Sequence, residues 1–158
     1  MRVSGKFLRV GEKKFSIRGL TYGPFSPREG ADGVKHGAVL AADLASIVAA
    51  GANTIRLYES PPEGFLDVCA EHGLRVIVGV AWPDHVDFVS QEGLWDSCVE
   101  KLRRAVISHR GHPALLGYFV GNEISATIVR WLGPRRVKVL LEELIATGRR
   151  EDPQALFA

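Results

Sequence analysis

Four short apolar segments alternate with four amphipathic segments along this chain of 158 residues, and this order is its strongest constraint on fold. The apolar segments are residues 15–21, 54–58, 74–80 and 115–124. Bounded by Gly or polar residues, they are typical of buried parallel strands. Apolar residues at helical spacing follow each one, at residues 39–48, 65–70, 94–106 and 137–145. Pro61 is expected to open the second helix, and the fourth helix is expected to end before Gly148. The predicted fold class is therefore α/β with four βα units.

Half of a TIM barrel accounts best for this pattern, because four βα units are half of an eight-unit barrel. We expect a single domain, residues 1–158, in which a short β-hairpin at about residues 7–15 precedes a (βα)4 half barrel. A doubly wound open sheet is the alternative. Residues 19–24, GLTYGP, lack the Gly-x-Gly-x-x-Gly pattern and the helix start of a nucleotide fold.

Composition excludes several partner classes. A formal charge of +2 predicts no nucleic acid and no anionic membrane as partner.

The N-terminus has no signal-peptide pattern and no apolar run approaches the roughly 20 residues of a membrane span, so the expected location is the cytoplasm. Cys69 and Cys98 lie on apolar helix faces and are expected to be buried free thiols. No metal site and no cofactor are predicted.

Glu123 is the leading catalytic candidate. It follows the apolar run of the fourth strand, and functional groups of α/β folds gather beyond the carboxyl ends of parallel strands. An apolar setting disfavours the charged form of a carboxyl group, which suits a proton donor for glycosidic bond cleavage. The preceding Asn122 offers a hydrogen-bonding group for a sugar hydroxyl.

Four motifs, in order, resemble the clan A glycoside hydrolases, which are (β/α)8 barrels that retain anomeric configuration. The motifs are TIRLY at residues 54–58, VIVGVAW at 76–82, HPA at 112–114 and GNE at 121–123. The similarity spans nearly the whole chain. It is closest to the hydrolase-like domains that accompany family 2 glycosyltransferases, which implies β-linked oligo- or polysaccharides, β-glucans above all, as partners.

The resemblance assigns site roles. Glu123 matches the general acid/base, Asn122 the residue that contacts the substrate 2-hydroxyl, and Arg56 the arginine that steadies the nucleophile. Positions where such barrels place sugar-contacting side chains are occupied by Tyr22, Tyr58, Trp82 and His85.

The chain also departs from the family, whose nucleophilic Glu lies on strand seven. Residues 152–158 fall where strand five would begin, so the nucleophile has no counterpart, and nothing in the sequence places Glu59 or Asp84 in that role. We expect completion by dimerisation into a homodimer, or by a complementary half barrel. The predicted function is retaining hydrolysis of β-glycosides. The alternatives are a non-catalytic carbohydrate-binding or assembly module and a truncated fragment.

Structural explanations compete with these roles. Glu123 could be a structural carboxylate paired with Arg56, and Arg56 could merely neutralise a buried acid. The aromatic residues could be packing residues. His109 and His112 precede strand four and are expected to be capping or surface residues, while His85 is kept as a substrate contact.

Overall fold

The computed structural model of the protein describes residues 1–26, 33–80, 93–122 and 124–158. Within these ranges the strands are β1 Arg2–Ser4, β2 Phe7–Val10, β3 Lys13–Phe15, β4 Gly19–Thr21, β5 Thr54–Arg56, β6 Arg75–Gly79 and β7 Leu115–Phe119. The helices are α1 Gly37–Ala49, α2 Phe65–Glu71, α3 Leu94–His109, α4 Ala126–Leu132 and α5 Pro134–Glu151.

The main sheet is parallel, with β4, β5, β6 and β7 adjacent in sequence order. Leu20 lies opposite Ile55, which lies opposite Val76, and the register shifts once between Val76 and Ile77 beside β7. Each connection therefore returns the chain to the next position of the sheet, as in βα units. The predicted α/β class with a parallel sheet is confirmed.

The last residues of the chain extend this sheet. Phe157 forms a parallel bridge with Tyr118, and the amides of Tyr118 and Val120 donate to the carbonyls of Leu156 (2.8 Å) and Ala158 (2.8 Å). The two rings stack with their centroids 5.1 Å apart. A fifth parallel position therefore begins at the chain segment where the sequence predicted strand five.

The core lies between the main sheet and the helices. Side chains alternate across a strand, so one face of β5 to β7 carries residues that are almost fully buried. They include Ile55, Leu57, Val76, Val78 and Tyr118. Leu44 of α1, Leu102 of α3 and Leu144 of α5 pack into the same cluster. Burial of this apolar face drives the layering of helices on the sheet.

The first three strands form a separate antiparallel sheet in the order β1, β2, β3. Leu8 of β2 and Ile17 meet Ile77 and Phe119 of the main sheet around an apolar cavity of about 160 Å³. The expected hairpin at residues 7–15 is confirmed. The expected first strand, residues 15–21, is divided because Phe15 pairs with Leu8 whereas β4 pairs with β5.

Two predicted helix boundaries were wrong. The second helix was expected to open at Pro61, but α2 begins at Phe65 after Gly64, whose φ of 79° lies in the left-handed region. The last helix was expected to stop before Gly148, yet α5 continues to Glu151. The short helix α4 was not predicted. Its amide at Ile128 donates to Ser125 Oγ (3.2 Å), an N-cap that the sequence does contain.

Candidate functional site

Arg56 and Asn122 meet at the carboxyl ends of two strands. Arg56 is the last residue of β5, Asn122 follows β7, and 66 positions separate them in the sequence. The Arg56 guanidinium donates through Nη2 to Oδ1 of Asn122. The parallel order of the sheet therefore brings together two of the three residues that the sequence placed in the catalytic group.

Two aromatic rings surround the Arg56 guanidinium. Its Cζ atom lies 4.5 Å from the centroid of Tyr58 and 5.4 Å from that of Phe119, both within range of a cation–π interaction. Among the described residues, nothing accepts a hydrogen bond from its buried Nε atom. An unsatisfied buried donor is unfavourable, so Arg56 keeps one hydrogen bond to offer to an oxygen of another group.

Three other predicted site residues lie outside the described residues. They are Glu123, Trp82 and His85. Asp84, which the sequence raised as a second carboxylate, lies outside them as well. Their roles stay predictions.

A cavity of about 440 Å³ lies where the chain leaves β4 and β5, and its lining includes Tyr22, Tyr58 and Glu59. Tyr22 is only 5% exposed and packs edge-on against Phe25, with ring centroids 4.8 Å apart. Its ring is thus largely a packing element. Tyr58 is half-buried, and one face of its ring is taken by Arg56. Glu59 is exposed, so it is a carboxylate available at this cavity.

A polar network holds the wall of this cavity. The Tyr22 hydroxyl donates to Asp43 Oδ2 (2.9 Å), and Lys35 Nζ lies 3.0 Å from the same oxygen. The hydrogen bonds from Lys35 and Tyr22 hold the pKa of Asp43 below its usual value. Burial, together with the Asp43 carboxylate, raises the pKa of Tyr22. Tyr22 therefore acts as a neutral donor that ties the cavity wall to α1.

His109 is a buried residue whose ring bonds to Ser60, so the prediction of a capping or surface residue was wrong. It is 6% exposed, and its Nε2 shares a 2.8 Å hydrogen bond with Ser60 Oγ. Burial, assisted by the neighbouring His112, lowers the pKa of His109. Leu102, Val106 and His109 recur at helical spacing along α3, a signal that could have placed His109 on the inner face.

His112 behaves as predicted. Its Nδ1 accepts a hydrogen bond from the amide of Ala114 (3.1 Å), and its Nε2 lies 3.0 Å from Asp67 Oδ1. The ring therefore caps the turn that leads into β7 and links it to α2.

Both thiols are free and buried, as predicted. Burial raises the pKa of Cys69 to about 12. In the described part of the chain, no group of three His, Cys, Asp or Glu side chains is placed to hold a metal ion. No helix there has the length and apolar character needed to cross a membrane.

No family model matches the chain. Among curated proteins, 1,3-β-glucanosyltransferase GAS2 of Saccharomyces cerevisiae is 30% identical over 88 residues, which are 52% of this chain and 16% of that protein. The match shows sequence similarity over half of this chain.

The fold is also found in solved glycosidase structures. A β-galacturonidase from Eisenbergiella tayi matches 99% of the chain with a TM-score of 0.80 and 22% identity. An exo-β-1,4-mannosidase from Opitutaceae bacterium strain TAV5 matches 99% with a TM-score of 0.79 and 20% identity. A β-glucuronidase from Bacteroides uniformis matches 90% of the chain with a TM-score of 0.73 and 22% identity.

The chain spans only a part of each of these proteins. It covers 27% of the β-galacturonidase, 34% of the mannosidase and 18% of the β-glucuronidase. The chain thus has the α/β fold of a section of these glycosidases, with Arg56 and Asn122 joined at the carboxyl ends of its parallel strands.

Proposed function

We propose that the protein acts on β-linked carbohydrates as a retaining glycoside hydrolase-like half barrel, with Glu123 as its general acid/base. The hydrogen bond between Arg56 and Asn122 carries this proposal. These residues belong to separate motifs of the clan A resemblance. They meet at the carboxyl ends of the strands, where that fold carries its active site. The proposed relatives within the clan are the hydrolase-like domains that accompany family 2 glycosyltransferases.

Each residue has a distinct role in the proposal. Glu123 would protonate the departing glycosidic oxygen and later take a proton from the attacking water. Asn122, fixed by Arg56, would present its amide nitrogen to the sugar 2-hydroxyl. Arg56 would hold and polarise the second carboxylate that retaining hydrolysis requires. Tyr58 would border the bound sugar, and Tyr22 would support the wall of the neighbouring cavity.

A second copy of the chain is the proposed source of the missing barrel half. The Nε atom of Arg56, which has no hydrogen-bond partner among the described residues, supports this proposal, because a carboxylate in reach of that atom would satisfy it. A complementary half barrel from another polypeptide would serve the same purpose. In either arrangement the acid/base and the nucleophile come from different halves of the assembly.

Hydrolysis of an activated aryl β-glycoside by the purified chain tests this function, with Glu123→Gln measured beside it. We expect turnover that the substitution reduces by at least about a hundredfold, because the variant cannot donate a proton. Turnover that is equal in both proteins would contradict the role of Glu123. Molar mass measured on the same sample identifies the species that carries activity.

A non-catalytic carbohydrate-binding or assembly module is the second candidate. The observation that favours it is the same Nε atom, since no group of the described residues accepts a hydrogen bond from it. In this case the wild-type chain and Glu123→Gln would both lack turnover and would bind a β-linked oligosaccharide equally well. Asn122→Ala would then weaken that binding, which isothermal titration calorimetry would detect.

A further inference from the structure

Three cations form a row across the N-terminal antiparallel sheet. The register places Arg2 of β1 directly opposite Arg9 of β2, and Arg9 directly opposite Lys14 of β3. Residues paired in this way project to the same face of a sheet. Arg2, Arg9 and Lys14, the cationic row, therefore span two interstrand spacings, or roughly 10 Å.

Little negative charge compensates this row. Residues 1–18 contain six Lys and Arg against a single acidic residue, Glu12, whereas the whole chain has a formal charge of only +2. Arg2 Nη2 pairs with the Glu12 carboxylate at 2.6 Å, and Arg9 Nη1 donates to the Glu12 backbone carbonyl at 2.6 Å. Like charges directly opposite each other destabilise a sheet, so the cationic row lowers the stability of the small sheet through electrostatic repulsion. An anionic ligand would offset this repulsion.

An aromatic side chain lies beside the cationic row. Phe7 of β2 is 41% exposed and is paired with Ser4 of β1. Its ring centroid lies 4.0 Å from Lys14 Nζ and 5.6 Å from Lys6 Nζ. Lys6 thus adds a further positive charge beside Lys14 of the cationic row.

The cationic row is separate from the Arg56–Asn122 pair. Leu8 projects to the other face of the small sheet, where it helps to enclose the apolar cavity against the main sheet. The chain passes from the small sheet into the amino end of β4, whereas Arg56 and Asn122 lie at the carboxyl ends of their strands. A ligand on the row would thus not compete for the proposed catalytic position.

We propose that the cationic row, together with Lys6 and Phe7, binds a linear polysaccharide that carries carboxylate groups. The inference rests on the proposed function, which makes a polysaccharide the polymer that this protein meets. Regularly spaced carboxylates would pair with Arg and Lys. Duplex nucleic acid fits less well, because the cations cover only about 10 Å and the chain as a whole has little net charge.

Binding of the full chain to polygalacturonate, followed by calorimetry, tests the proposal, with methyl-esterified polygalacturonate as the neutral probe. The triple variant Arg2→Gln, Arg9→Gln, Lys14→Gln should bind polygalacturonate about tenfold more weakly than the wild type. A matched control removes three exposed cations of α5 by Arg135→Gln, Arg136→Gln and Lys138→Gln. It should change the affinity by less than twofold. Circular dichroism verifies that both variants remain folded.

Several outcomes would overturn the proposal. They are the absence of wild-type binding to polygalacturonate, equal binding to the neutral polymer, and equal losses in the two triple variants. Tighter binding to duplex DNA or to phosphatidylserine vesicles than to polygalacturonate would also do so. Aryl β-glycoside turnover by the wild type separates the two hypotheses: a wild-type protein that turns over the glycoside but does not bind polygalacturonate refutes this inference alone. Normal polymer binding without turnover refutes hydrolysis alone.

Discussion

Arg56 is the residue on which the geometry of the candidate site depends, because its guanidinium contacts Asn122, Tyr58 and Phe119 at once. The side chain is half-buried, so the hydrogen bond to Asn122 compensates part of the cost of removing a cation from water. The pair therefore contributes to stability as well as to any chemistry, and its two contributions can be measured separately.

Asn122→Ala should lower the free energy of unfolding by about 1–3 kcal/mol, because a partly buried guanidinium loses its acceptor. Asn122→Asp keeps an oxygen at that position and adds a charge opposite to that of Arg56, so it should preserve stability while reducing turnover. Urea unfolding of both variants measures the difference. Equal destabilisation by the two substitutions would show that the hydrogen bond does not stabilise the fold.

His109 should make stability dependent on pH. Its folded pKa is lowered by burial, so below about pH 6.5, the unperturbed value, the unfolded chain binds more protons than the folded chain. Stability should therefore decrease as the pH falls from 7.5 to 5.5. The slope from this single proton is at most about 1.4 kcal/mol per pH unit.

His109→Gln tests this dependence and keeps a hydrogen-bonding group near Ser60. Its unfolding free energy should vary less with pH than that of the wild type. An identical slope in the His109 variant would contradict the assignment.

The sequence could predict some of these residues and not others. Arg56 and Asn122 were identified because strand order and a family resemblance both pointed to strand ends. The hydrogen bond between Ser60 and His109 joins positions 49 apart and follows from the path of the connection between β5 and α2, which no local pattern encodes. Burial of Tyr22 similarly depends on Phe65 of α2, whose ring packs on it from a segment distant in the sequence.

At the scale of elements, Gly148 shows why a local signal can mislead. Gly commonly ends helices, yet α5 passes through this position and the residue is buried. A Cβ atom at Gly148 would lie 2.6 Å from Cζ of Phe157 and closer still to Cε1. The absence of a side chain thus lets the fifth strand position pack beneath α5.

Gly148→Ala should lower the unfolding free energy by about 1–3 kcal/mol through steric overlap with Phe157. Helix propensity alone predicts the opposite, a gain of about 1 kcal/mol. Chemical denaturation measures the change in unfolding free energy, and the sign of that change distinguishes the two expectations.

A double variant provides the control for this prediction. Phe157→Leu removes the ring atoms that would clash, so adding Gly148→Ala to it should cost less than it does in the wild type. Additive losses would show that the two positions do not interact.

The elements that sequence reasoning located best are those that bury a face. Strands β6 and β7 coincide with continuous apolar runs, and α3 and α5 with clear apolar stripes. Helix α4 buries none of its residues fully, so periodicity gave no signal for it. The start of α2 was misplaced because Pro favours a first helical turn, but here two prolines precede the left-handed Gly64.

At the scale of the whole molecule, the main sheet formed by the described residues ends at β4 on one side and at Phe157 on the other. Leu20 of β4 is 40% exposed, although the residue opposite it, Ile55, is completely buried. Exposed apolar side chains on a sheet edge favour association with another strand. This supports the proposal that a second copy of the chain pairs with these edges.

The dimer should appear in light scattering as twice the chain mass of 17.3 kDa. Leu20→Lys, which places a charge at the β4 edge, should shift the population toward monomer. Val139→Lys is the matched control, because Val139 is 59% exposed on α5 away from that edge. A wild-type monomer at micromolar concentration, or equal effects of both substitutions, would contradict the proposed assembly.

The hydrogen bond from Val120 to Ala158 has a practical consequence for expression and labelling. It directs the chain along the sheet toward Asn122, and Ala158 lines a cavity of about 360 Å³ with that residue. An affinity tag fused after Ala158 would emerge beside the proposed catalytic group and would obstruct it. Met1 lines a different cavity, together with Arg75 and His112. A tag fused to the amino terminus is therefore the appropriate design for turnover assays. Binding to the cationic row, which begins at Arg2, is measured after that tag has been removed.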